Sequence, residues 1–222
     1  MLSPLPPRYA EWLSYLFDHE IIPGLPEWYW RDDPPVFKAA PEEIAELWIA
    51  MMRRSETDLQ SYSDEQLGQG LWYLFSNGCS DHSLEICGGG LPGEKITEVY
   101  EAVNWLYSGL FSNRCTQTLG HLSEAGSELN LICYMLWDVS PLGWPPEDDP
   151  KGVIEKALLN LLERVMHLPH RACIESALHG LGELQRRYPE KVQAIIQPRL
   201  ASLDQDKELL QYALNAQEGN IL

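Results

Sequence analysis

Cys79, His82 and Cys87 sit on one stretch, with two residues between the first pair and four between the second. A thiolate, an imidazole and a second thiolate are ligand types for Zn2+, and Cys115 or His121 is available as a fourth. Structural zinc sites use two compact ligand pairs, however, and the second pair is missing, so the spacing favours ordinary loop and core thiols over a metal. His167, His170 and His179 form a second constellation with Glu175 and Glu183. Glu175, His179 and Glu183 recur every four residues and so share one helix face. That pattern suits acid–base or metal chemistry, but on a helix it reads first as a solvated polar stripe opposite the leucines, which is the expectation taken here. Gly88, Gly89 and Gly90, followed by Pro92-Gly93 and a helix, would present backbone amides to a phosphate. No Lys, Ser or Thr follows at the spacing of a phosphate-binding loop and no strand precedes it, so the segment reads as a connector. No catalytic residue, metal ligand or cofactor is assigned.

The tryptophans carry a different signal. All eight lie at or before residue 144, at positions 12, 28, 30, 48, 72, 105, 137 and 144. Trp12, Trp48, Trp72 and Trp105 fall on apolar stripes and are expected in the core. Trp28 and Trp30 sit instead in a proline-rich loop beside Asp32 and Asp33. An aromatic anchor ringed by acid is the composition of a hot spot for a basic partner; the alternative is that both fold back as a lid over the helices.

Charge points the same way. Up to Asp149 the chain holds 24 Asp and Glu against 7 Lys and Arg, and from Pro150 onward 9 against 9, so the whole net charge of -17 belongs to the first part. An anionic surface repels phosphate backbones and anionic lipid head groups, which excludes nucleic acid and membrane surfaces as partners and favours basic proteins. The first twenty residues carry Arg8, Glu11, Asp18 and Glu20, which interrupt the apolar core a signal peptide needs. Five cysteines, an odd number and widely spaced, do not form the dense framework of a secreted module. A cytoplasmic protein with reduced thiols is expected.

Helical periodicity runs through the chain, and no segment has the alternation of a β-branched strand, so the fold class is all-α. Helices are expected over Arg8 to His19, from Pro41 through Met51, from Ser63 to Phe75 with a Ser63/Gln66 capping box, over Glu94 to Phe111 and over Glu128 to Asp138. Ile22 to Ala40 and Cys79 to Gly93 read as loops. Pro141, Pro145, Pro146 and Pro150 mark a linker, dividing an acidic, Trp-rich part (1–148) from a part at 149–222, the two packing as one unit. Beyond it, helices are expected from Asp149-Pro150, over Arg171 to Arg187, from Pro189, and after an Asp204 to Asp206 turn. Gly180 and Gly182 permit close helix crossing.

The run from Pro169 to Leu184, with Arg171 just after an inter-helix turn and Ala177, Leu178, Leu181 and Gly182 on a stripe, resembles the second helix of a HEAT-like repeat. The resemblance covers about residues 150 to 216. It implies a stack of helical hairpins that binds proteins, and an Asp of the turn, Asp204 or Asp206, paired with Arg171.

The function expected is therefore that of an acidic protein-binding module, a cognate inhibitor of the immunity type acting on a basic partner such as a bacterial toxin. Trp28, Trp30, Asp32, Asp33, Glu147, Asp148 and Asp149 are its expected contact residues. Two readings stay open beside it: a HEAT-like scaffold or assembly adaptor, and a metal-dependent enzyme built on Cys79, His82 and Cys87.

Overall fold

In a computed structural model of the chain, residues 4–221 are described except 89, 147, 148 and 150. The fold is all-helical, with no strand among the described residues. The elements are α1 (Tyr9–Phe17), α2 (Pro41–Arg53), α3 (Ser55–Asp58), α4 (Asp64–Phe75), α5 (His82–Gly88), α6 (Gly93–Trp105), α7 (Ser112–Arg114), α8 (Glu128–Val139), α9 (Val153–Val165), α10 (Arg171–Leu184), α11 (Pro189–Ile196), α12 (Leu200–Leu203) and α13 (Lys207–Glu218). A π-helical segment, Leu106–Phe111, carries α6 on towards α7.

Local chemistry explains the helix starts. Pro41 opens α2 with Glu42 and Glu43 in the first turn, where acids meet the positive end of the helix dipole. Ser63 and Gln66 form the expected reciprocal capping box of α4. Asp149 does the same work for α9 across a longer loop. Its carboxylate accepts from the amides of Val153, Ile154 and Glu155 at 2.9, 2.8 and 3.1 Å.

Packing is continuous across the proline segment at 141–150. α6 lies against both α2 and α9, α8 against α4 and α10, and α10 against α9 and α13. One hydrophobic core runs from Tyr9 to Ala216. At Gly180 a Cβ would stand 2.9 Å from the Trp137 ring and 3.0 Å from Leu162, so the close crossing of α10 with α8 and α9 needs glycine there. Arg171 pairs with Asp206, not Asp204, at 2.6 Å, and also reaches Glu208 and Glu124 at 2.6 and 3.3 Å.

Three expectations are corrected. The segment from Cys79 to Gly93 is not all loop, because α5 occupies its middle, seating Ile86 in the core. Trp105 is not core: it is 54% exposed, standing about 100° round the helix from buried Leu106. The polar stripe of α10 is only partly solvated, with Glu183 left half-exposed. Glu175, Ser176 and His179 are as buried as the leucines, because α13 covers the side that an isolated hairpin would leave to water.

Candidate functional site

The loop at residues 22–40 holds one 3-10 turn, Trp28–Trp30. Trp28 and Tyr29 turn inward. Trp28 stacks on His19 with ring centroids 4.0 Å apart and packs against Tyr15 and Tyr73. Tyr73 and Tyr15 share a hydrogen bond at 2.6 Å, and burial pushes the Tyr29 hydroxyl well above the usual phenol range. Arg31 ties the loop down from the other side, donating to the carbonyls of Pro26 and Glu20 at 3.0 and 3.2 Å. Between these anchors Trp30 is left 58% exposed on a fixed backbone.

Trp30 forms one wall of a groove of about 400 Å³ shared with Ile21, Tyr29, Trp72, Leu131 and Ile132. The polar residues on it are Glu27, Glu65, Gln69 and Glu128; no Lys or Arg contributes. Hydrogen bonding from its own amide and from Ser63 lowers the Glu65 carboxyl, which keeps it ionised. Gln69 Oε1 is buried without a hydrogen-bond partner. Glu128 and Leu131, the latter 57% exposed, also line a second hollow of about 390 Å³ with Glu124, Asn130 and Tyr134, again with no Lys or Arg. Aromatic faces and carboxylates are groups to which ammonium and guanidinium ions can bind.

The structure sorts the residues expected to make contact. Trp30 lines the groove, while Trp28 is core, the lid alternative for that ring, and so offers no surface anchor. Asp32 and Asp33 are exposed just past Trp30 but form no part of the groove wall. Asp149 is spent on capping α9. Glu147 and Asp148 lie outside the described residues. Glu27, Glu65, Gln69 and Glu128 were missed because they come from a loop, α4 and α8, which only folding brings together. Leu131, apolar off the buried stripe of α8, was the one legible hint.

The metal-like spacing does not close. Cys79, His82 and Cys87 do not converge as a ligand set; among the described residues the one converging group is Asp138, His179 and Glu183. Burial pushes the Cys87 thiol up to about 12, the opposite of what a thiolate ligand needs. Gly88 ends α5, Gly90 has φ +74° and Gly89 lies outside the described residues, so the glycine run joins two helices.

Among the described residues no helix is long and apolar enough to cross a membrane. Comparison with protein-family models, with curated proteins and with solved structures gave no match.

Proposed function

We propose that this chain is an acidic protein-binding module that recognises a basic protein, acting in the cytoplasm as a cognate inhibitor of the immunity type against a partner such as a bacterial toxin with a cationic surface. What carries the reading is the groove between Trp30 and Leu131, which gathers Glu27, Glu65 and Glu128 round the exposed Trp30 and the half-buried Trp72, with no Lys or Arg on its wall. The net charge of -17 steers a basic partner at long range and accelerates encounter. A Lys or Arg side chain seated on Trp30 and Trp72 then gains a cation–π contact of about 1 kcal/mol, rising to about 2 once water is excluded. Its donors meet the flanking carboxylates of Glu27, Glu65 and Glu128.

The test is to capture the partner on the tagged chain from native lysate and follow association kinetics as salt is raised. The expected result is a steep fall in association rate, because the Debye length shrinks from about 30 Å at 0.01 M to about 10 Å at 0.1 M. Trp30→Ala combined with Glu27→Gln and Glu65→Gln should speed dissociation as well. An association rate indifferent to salt, or a complex indifferent to the triple variant, would sink the reading.

A second reading, a HEAT-like scaffold or adaptor binding through the C-terminal hairpins, is favoured by the pairing of Arg171 with Asp206 across two helices. In that case the groove variants leave binding intact and changes along α11 and α13 abolish it.

A further inference from the structure

We propose that Asp138, His179 and Glu183 form a binding site for a divalent transition cation of the Zn2+ class. Asp138 lies on α8, while His179 and Glu183 lie one turn apart on α10. One ligand atom from each converges so that all three lie within 4.8 Å of one another. The arrangement sits on two packed helices, so its geometry is set by rigid elements and not by a loop.

Three observations make this more than an ion pair. First, the charges do not balance. His179 Nε2 lies 2.9 Å from Asp138 Oδ1, which accounts for one carboxylate. Glu183 brings a second to the same imidazole, and among the described residues neither carboxylate has a Lys or Arg within salt-bridge distance. Even with His179 protonated, one negative charge is left over, and a dication supplies what is missing.

Second, the far side of the imidazole is held as metal-binding histidines are held. His179 Nδ1 lies 2.7 Å from the Tyr212 hydroxyl, which in turn lies 3.4 Å from the Tyr134 hydroxyl. The Tyr134 ring packs edge-on to the imidazole at 4.8 Å, and the His121 ring stacks on Tyr212 at 4.1 Å. His121 is fixed by Glu175, whose carboxylate is 2.6 Å from its Nδ1. With Nδ1–H donating to Tyr212, Nε2 presents its lone pair towards Asp138, and a cation seated between them would take the place of that 2.9 Å contact. Tyr212 then donates its own proton towards Tyr134.

Third, access is graded. His179 is buried, whereas the side chains of Asp138 and Glu183 remain partly exposed, which leaves the outer coordination positions to water or a fourth ligand. One imidazole with two carboxylates selects Zn2+ and its first-row neighbours over Mg2+ and Ca2+, which prefer oxygen alone.

The experiment uses the full chain, stripped with EDTA and desalted, titrated with ZnCl2 by calorimetry and with CoCl2 by absorption. One equivalent of Zn2+ should bind, MgCl2 should not compete, and the Co2+ spectrum should lack a thiolate charge-transfer band, which separates this site from the five cysteines. Asp138→Asn and Glu183→Gln, both at partly exposed side chains, should each weaken binding at least tenfold. Tyr212→Phe should weaken it roughly 10- to 100-fold, as loss of a group orienting a histidine ligand does. Absence of stoichiometric Zn2+ binding, affinities unchanged in Asp138→Asn and Glu183→Gln, or a Co2+ spectrum with thiolate bands would each overturn the proposal.

Discussion

His82 offers a sharp test of how the core is built. Its imidazole is only 7% exposed, ringed by Trp12, Tyr15 and Tyr73 at centroid distances of 5.2, 6.0 and 5.9 Å, and neither ring nitrogen has a hydrogen-bond partner. Burial disfavours the charged form and holds its pKa down to about 4 from 6.5, with Asp81 opposing weakly. The unfolded chain therefore binds a proton that the folded chain refuses between about pH 6.5 and 4. The stabilising contribution of the neutral ring is complete above 6.5 and is lost as pH falls through that window. At 1.36 kcal/mol per pKa unit, a fall from 6.5 to about 4 is worth about 3 kcal/mol. Replacement by leucine removes the titration and the two unpaired nitrogens together, so His82→Leu should match or exceed the parent at pH 7 and outlast it in acid. Urea unfolding at half-unit steps from pH 7.5 to 4 isolates the effect as the difference between the two proteins, other groups cancelling. A difference that stays flat across the window, or a His82 imidazole NMR resonance that titrates near 6.5 in the folded protein, would show that the ring is hydrated and the reasoning wrong.

Two further outcomes test the tertiary assignments. Glu175, 1% exposed, accepts from the amides of Gly120 and His121 at 2.8 and 3.0 Å and faces His121 Nδ1. Glu175→Ala should cost about 3 kcal/mol in urea unfolding by stranding those donors, and a loss below about 1 kcal/mol would restore the solvated stripe. Asp149→Ala should cost about 1–2 kcal/mol through the lost cap of α9, whereas Asp149→Asn, which keeps one of the two accepting oxygens, should lose less; a loss below about 0.5 kcal/mol in Asp149→Ala would mean that α9 does not depend on this cap.

Much of the helical framework was legible from one-dimensional information. The capping box at Ser63, the proline start at Pro41 and the stripes of α9 and α13 are local, because helix periodicity and end capping act over a few residues. The pairing of Arg171 with Asp206, 35 residues on, is not local; it was expected from the HEAT-like resemblance, which left Asp204 and Asp206 open. Charge partition is likewise a property of composition.

What the chain order did not reveal depends on which face meets which neighbour. Glu175, His179 and Glu183 recur every four residues, yet Glu175 is spent on His121 and the other two join Asp138 from 41 and 45 residues away, because α8 and α13 close over α10 from two sides. Trp28 and Trp30, two residues apart in one loop, divide between core and surface because a 3-10 turn points them in different directions. Trp105 sits beside a buried stripe and still faces water. The groove carboxylates come from three separate elements, so no spacing announces them. Periodicity reports how polar a face is, not whether another helix will cover it; that is settled by long-range packing, where a buried charge is tolerated once its partners arrive from elsewhere in the chain.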